Sequence, residues 1–198
     1  MTNEPARPAQ DPNEMLRSLY DANPECNVVL LVDDDAMLRT AVRQQLGLCL
    51  RDFGINYVSS AQEAIDALKR GLAQKVTLVL SDIEMPPGMK GTKLAEFLRF
   101  PPDSDSGCQL PFDIPIVLMS GNPSYKNPKT PEGKSMAGLI DAGVVDGFVA
   151  KPFSTEDLKA AICRAVESAL EKQPEIVDGA KDPAGEEVID LTDEVTPV

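Results

Sequence analysis

Five short strand-favouring runs, each followed by a helical pattern, constrain this chain more than any other feature. The runs are 28–32, 55–59, 76–80, 116–119 and 144–149. Several are apolar at consecutive positions, as strands buried on both faces of a parallel sheet must be. The segments between them are amphipathic. Leu38, Val42, Leu46, Cys49 and Phe53 fall on one stripe, Ala61, Ala64 or Ile65, Leu68 and Leu72 on a second, and Leu158, Ala161, Ile162, Ala165, Val166, Ala169 and Leu170 on a third. Ser60 stands three residues before Glu63, and Ser154 three before Asp157, each the pattern of a capping box at a helix start. Five βα units joined by right-handed crossovers give a doubly wound α/β sheet with helices on both faces. Ligands in such sheets sit at the carboxyl ends of the strands, where the winding reverses.

The ends of the chain differ from its middle. The 198 residues carry a formal charge of −13, and residues 173–198, with eight acids against one lysine, hold −7 of it. Residues 1–25, with four prolines, read as a flexible segment containing a short helical turn near residues 15–20, residues 26–172 as one domain, and 173–198 as an acidic solvated tail. No basic stripe is available to neutralise nucleic-acid phosphates, and an anionic membrane would repel the tail. The four cysteines lack CxxC spacing and the chain has no histidine, so zinc sites and histidine-based triads are excluded. With no leader-like apolar run at the start, a cytoplasmic protein with reduced thiols is expected.

Chemistry-bearing residues recur where the strands end. The first run leads into Asp33, Asp34 and Asp35, the third into Ser81 and Asp82, the fourth into Ser120, Gly121 and Asn122, and the fifth into Lys151 and Pro152. Carboxylates about 4 Å apart repel by several kcal/mol at an effective dielectric near 20, so such a rim calls for a cation. Mg²⁺ suits it, because it binds through one or two carboxylates, waters and a phosphate oxygen. Asp35 also stands where an N-cap of the following helix belongs.

LLVDDDAMLRT, LVLSDIEMPPGMKG, PIVLMSGN and GFVAKPF, in that order, resemble the signature segments of the receiver domains of bacterial two-component response regulators, over roughly residues 27–171. The resemblance implies a flavodoxin-like fold with strand order 2-1-3-4-5. It implies Asp82 as phosphoacceptor, with Mg²⁺ held by Asp34 directly, Asp33 through water, Asp82, and the backbone carbonyl of Glu84. Ser120 matches the switch hydroxyl, Phe148 the switch aromatic, and Lys151 the ammonium that pairs with carboxylate or phosphoryl group; the Lys151–Pro152 bond is expected to be cis. Glu84 and Asn122 match positions that tune dephosphorylation. The implied function is a stand-alone, non-enzymatic signalling domain that takes a phosphoryl group from a histidine kinase or histidine phosphotransfer protein. It then switches a surface around the fourth and fifth helices toward a downstream protein, with a second copy of the chain as a further candidate partner.

Some segments depart from that family pattern. Residues 85–91 look one residue longer than the family's loop, and the first helix about one turn longer. Pro123, Pro128 and Pro131 delay the fourth helix to about 132–141 behind an extended loop over 121–134. Pro101, Pro102, Pro111 and Pro115 precede the fourth strand, making 99–113 a second surface loop. In the tail, residues 187–192 resemble the acidic-aliphatic strand that docks on small ubiquitin-like modifiers, a coincidence in a chain of otherwise bacterial look. Two other schemes use the same residues: a haloacid-dehalogenase-like phosphohydrolase with Asp33 as nucleophile and Asp35 beside it, and a receiver-like scaffold that binds without phosphorylation.

Overall fold

A computed structural model of the chain describes residues 10–20, 25–102, 107–110 and 114–172. Residues 1–9, the tail 173–198 and its segment 187–192 lie outside the described residues. Five parallel strands, β1 (Val28–Val32), β2 (Gly54–Val58), β3 (Val76–Asp82), β4 (Ile116–Ser120) and β5 (Gly147–Ala150), pair in the order β2-β1-β3-β4-β5. This is the order implied by the resemblance. The expected strands all form, with ends shifted; the fifth starts three residues later than the apolar run, because Asp146 turns its side chain inward instead.

Side-chain alternation along the strands builds two cores. Val29, Leu31, Leu78, Leu80, Val117, Met119 and Val149 pack beneath α2 (Ala36–Cys49) and α6 (Thr155–Lys172). Leu30, Val32, Val79, Ile116 and Leu118 face α3 (Ala61–Ala67), α4 (Gly91–Arg99) and α5 (Pro131–Asp141). Burying each of these aliphatic side chains contributes about 1.5–3 kcal/mol, so a slip of one residue in any strand would be costly. The capping box at Ser154 forms as read, Ser154 Oγ accepting from Asp157 N at 3.1 Å while Ser154 N donates back to the Asp157 carboxylate at 3.0 Å; at Ser60 the cap bond from Glu63 N forms, but the Glu63 carboxylate reaches back to Ser59 N instead. One residue of the third stripe is misplaced, since Leu170 is 42 % exposed near the end of α6.

The described part of the N-terminal segment, residues 10–20, contains a helix packed on the domain. Within it, α1 (Pro12–Leu19) starts at Asp11, whose side chain accepts from Asn13 N, and Pro12 occupies the first helical position, where its missing N–H costs nothing. Leu16 is fully buried in the α2–α6 core, and Asn13 and Arg17 both donate to the Asp52 carboxylate, at 2.9 and 3.0 Å. Prolines that read as disorder thus include one that starts a helix.

Both inserted loops are also more structured than expected. Cys108 and Leu110 of the first are fully buried, and Leu110 N donates to Leu98 O at 2.9 Å, so part of this segment belongs to the core and not to the surface. In the second, Pro123–Lys126 forms a 3₁₀ turn, and α5 begins one residue before the expected start, with Pro131 in its first turn and Thr130 as N-cap. All four cysteines are free thiols.

At the end of the sheet opposite the strand tips, Arg99 and Asp146 are buried together. Arg99 Nη2 donates to Asp146 Oδ2 at 3.0 Å and to Ile114 O at 2.8 Å; the same carboxylate oxygen accepts Ile116 N at 2.8 Å. Asp146 Oδ1 receives Lys172 Nζ from α6. Removing one partner from a buried pair leaves the other's desolvation uncompensated, so Asp146→Ala should lower stability by about 3–5 kcal/mol, as read from urea unfolding monitored by circular dichroism. A loss below about 1 kcal/mol would show that this network is not a clamp between α4, β4 and α6.

Candidate functional site

The strand register decides which residues meet. Val32 pairs with Ser81, Asp82 with Met119, and Ser120 with Ala150. Asp33, Asp82, Ser120 and Lys151, each at or one step past a strand end, therefore share the carboxyl rim, as the sequence required. Asp33 is fully buried and Asp82 nearly so, while Asp34 points outward. Ligand oxygens of Asp33, Asp34 and Asp82 all lie within 4.8 Å of one another. Asp34 and Asp82 border an open cleft of about 560 Å³ lined also by Asp35, Glu84, Asn122 and Lys151, with Asp33 buried behind it.

Lys151 holds this cluster together. Its Nζ lies 2.7 Å from Asp33 Oδ2 and 3.1 Å from Asp82 Oδ1, and its backbone N donates to Ser120 O at 2.8 Å. The Lys151–Pro152 bond is cis, as expected, and so is Pro86–Pro87. Asp33 Oδ1 accepts Asp35 N at 2.9 Å, and Asp82 Oδ1 also accepts Ile83 N at 2.8 Å. Burial pushes the Asp82 carboxyl above the ordinary carboxylate range, with the Lys151 ammonium as the chief opposing influence and Asp33 adding to the rise. Three carboxylates against one ammonium leave two uncompensated negative charges, and each close pair repels by about 3–4 kcal/mol at an effective dielectric of 20. A divalent cation fits that deficit, and the hard oxygen donors fit Mg²⁺.

Asp35 is occupied elsewhere. Its side chain accepts Met37 N and Leu38 N at 2.8 and 3.1 Å, capping α2, and these N–H groups hold its carboxyl below the usual range. It thus serves as the N-cap of α2 through Oδ1, as its position in the sequence suggested, while also lining the cleft.

Ser120 Oγ donates to Glu84 Oε2 at 2.9 Å and accepts Asn122 N at 3.0 Å, so Glu84 takes part through its side chain as well as lying on the cleft. Phe148 is half-buried and packs against Tyr125, ring centroids 6.2 Å apart. Three contributors were missed from sequence. Tyr125, alone in a proline-rich loop, gave no periodic signal. Arg39 Nη1 donates to Asp33 O at 2.6 Å, a backbone contact no motif announces. Gly91 closes the second quoted segment, and its reason is steric: a methyl there would strike the backbone carbonyl of Asp82, against which α4 starts.

The family profile of the response regulator receiver domain matches residues 29–163. The chain belongs to the response-regulator receiver family. Receivers are signalling phosphoacceptors and not classical enzymes. The C4-dicarboxylate transport transcriptional regulatory protein DctD of Rhizobium meliloti is 34% identical over 140 residues, 70% of this chain. This receiver spans about a quarter of that relative's length, 25%. A response regulator receiver protein from Sinorhizobium medicae superposes with TM-score 0.51 at 24% identity, over 73% of this chain and 98% of that one. The receiver domain of a sensor histidine kinase from Pseudomonas aeruginosa, solved with magnesium coordinated in its active-site cleft, does so with TM-score 0.51 at 17% identity, over 71% and 98%. These two likenesses show the fold. No helix among the described residues is long and apolar enough to cross a membrane.

The raised Asp82 carboxyl has a measurable consequence. It holds its proton more tightly folded than unfolded, where the value is about 3.9, so its contribution to stability is fully present below the unfolded value and is lost as pH rises through the folded one. Lys151→Met removes the main influence favouring the charged form, and the Asp82 midpoint in metal-free protein should rise further. Carboxyl ¹³C NMR titration reads it directly; an unchanged or lower midpoint in the variant would contradict the assignment of Lys151 as the opposing charge.

Proposed function

We propose that Asp82 is the phosphoacceptor of this receiver, that Mg²⁺ is held beside it, and that Lys151 and Ser120 complete the reacting site. The observation that carries the reading is the three-carboxylate cluster closed by one lysine on a single rim. Asp34, Asp82 and the backbone carbonyl of Glu84 would hold the ion, with Asp33, whose two oxygens are engaged by Lys151 and Asp35 N, acting from behind through water. When bound, Mg²⁺ supplies positive charge to the equatorial oxygens of a phosphoryl group in transfer.

The chain's own residues do the rest. An Asp82 carboxylate oxygen attacks phosphorus in line, the N–P bond of a partner's phosphohistidine breaks, and the imidazole leaves with the electron pair. Lys151 stays within reach of the developing charge, because Asp33 fixes it at 2.7 Å. Once an acyl phosphate stands on Asp82, Ser120 Oγ gains a new acceptor and turns to it, and Phe148 follows into the space vacated. The partners are therefore a histidine kinase or histidine phosphotransfer protein upstream and a protein bound around α5 and α6 downstream, in a soluble compartment such as the cytoplasm.

Incubating the purified chain with acetyl phosphate and Mg²⁺ should add the mass of one phosphoryl group, and excess EDTA or the Asp82→Asn substitution should reduce labelling at least tenfold. Full labelling of Asp82→Asn would refute the assignment.

A further inference from the structure

We propose that Arg39 is a positioning residue of the metal site: by pinning the carbonyl of Asp33 it fixes the peptide that aims the Asp34 carboxylate at the cleft. The proposal rests on the reading that Mg²⁺ is held by Asp34 and Asp82 beside the phosphoacceptor.

Two of the three clustered carboxylates are held through their own oxygens. Lys151 Nζ reaches Asp33 Oδ2 and Asp82 Oδ1, while Asp35 N donates to Asp33 Oδ1 and Ile83 N to Asp82 Oδ1. The third differs. Asp34 is exposed, and among the described residues no group donates to its carboxylate, yet an oxygen of it lies within 4.8 Å of ligand oxygens on Asp33 and Asp82. Its aim therefore comes from its backbone, and the peptide on each side of it is pinned. The Asp33–Asp34 peptide is held at its oxygen, which accepts from Arg39 Nη1 at 2.6 Å. The Asp34–Asp35 peptide is held at its nitrogen, which donates to Asp33 Oδ1 at 2.9 Å. Peptide units are planar, so fixing both sets the direction of the Asp34 Cα–Cβ bond. Asp33 N, donating to Val58 O at 3.2 Å, ties the whole turn to the sheet.

Arg39 is an unfavourable residue for its place on two counts. It is the fourth residue of α2, whose first turn carries no acid, and a cation near a helix N-terminus opposes the macrodipole by about 0.3–1 kcal/mol. Its charge also repels a divalent cation bound at the same turn. Half-buried, it makes no ion pair among the described residues; what it holds is a carbonyl, as a charge-assisted donor. A side chain that breaks two local rules and still folds back on the acidic turn is accounted for by the peptide it clamps.

Clamp and charge act on a bound cation with opposite signs, and the test uses that. Arg39→Met and Arg39→Lys both keep the aliphatic stem that packs on the turn, so the fold is retained, as urea unfolding checks. Mg²⁺ binding to the full chain is measured by calorimetry with no phosphodonor present. Arg39→Met, which removes a repelling charge, should nevertheless weaken binding by about threefold to tenfold, the range one net hydrogen bond gives. Arg39→Lys, which keeps the charge and can still donate to the carbonyl, should bind more tightly than Arg39→Met. In the metal-free chain the Asp34 amide ¹⁵N signal should broaden in Arg39→Met relative to the native sequence. Mg²⁺ binding by Arg39→Met equal to or tighter than that of the native chain or of Arg39→Lys, or an unchanged Asp34 signal, would overturn the clamp while leaving the phosphoacceptor reading intact. No Mg²⁺ binding by the native chain would remove the metal reading, and the clamp with it.

Discussion

One ammonium makes the rim of this sheet tolerable. Asp33 and Asp82 lie on neighbouring strands whose register forces them together, and burial leaves water little room to separate their charges. Lys151 arrives from the far side of β4 and touches both. Its pairing is incomplete by design of the charge count, because a third carboxylate, on Asp34, faces the same cleft. Two negative charges are left without a partner, a deficit that a divalent cation fits.

The two ends of the sheet use buried charge differently. At the carboxyl ends, charge is gathered around a cleft that opens to solvent, where a ligand can change the balance. At the opposite end, Arg99, Asp146 and Lys172 form a closed set, with the side chains of Arg99 and Asp146 wholly buried and backbone groups of Ile114 and Ile116 filling remaining valences. Desolvation offsets much of the attraction in such a set, so its net contribution to stability is modest even though removing one partner is costly. It ties α4, the segments leading into β4 and β5, and α6 together at that end.

Much of this was legible because it obeys short-range rules. The apolar run at 28–32, and the run at 76–80 broken only by Thr77, fit strands covered on both sides, and residues just past parallel strands share one rim whatever the loops do. Ser60 and Ser154 announced helix starts through hydrogen bonds that span three residues. What escaped was long-range. Pro12 looks like a breaker until one asks which helical position it fills. Arg99 looks like a surface residue of an amphipathic helix, and only Asp146, 47 positions later, explains its burial. Tyr125 has no periodic partner, and only Phe148, arriving on β5, shows why its ring is buried. Leu170 completes a helical stripe yet is 42 % exposed, while Ala169 beside it is fully buried.

The central claim is that chemistry occurs at one carboxylate among three. Borohydride reduction of the phosphorylated chain converts an aspartyl phosphate to homoserine, and tandem mass spectrometry of the digest locates it. Homoserine at position 82 alone is the result expected here; homoserine at 33 or 34, or a phosphoryl group retained on a serine or threonine, would contradict it.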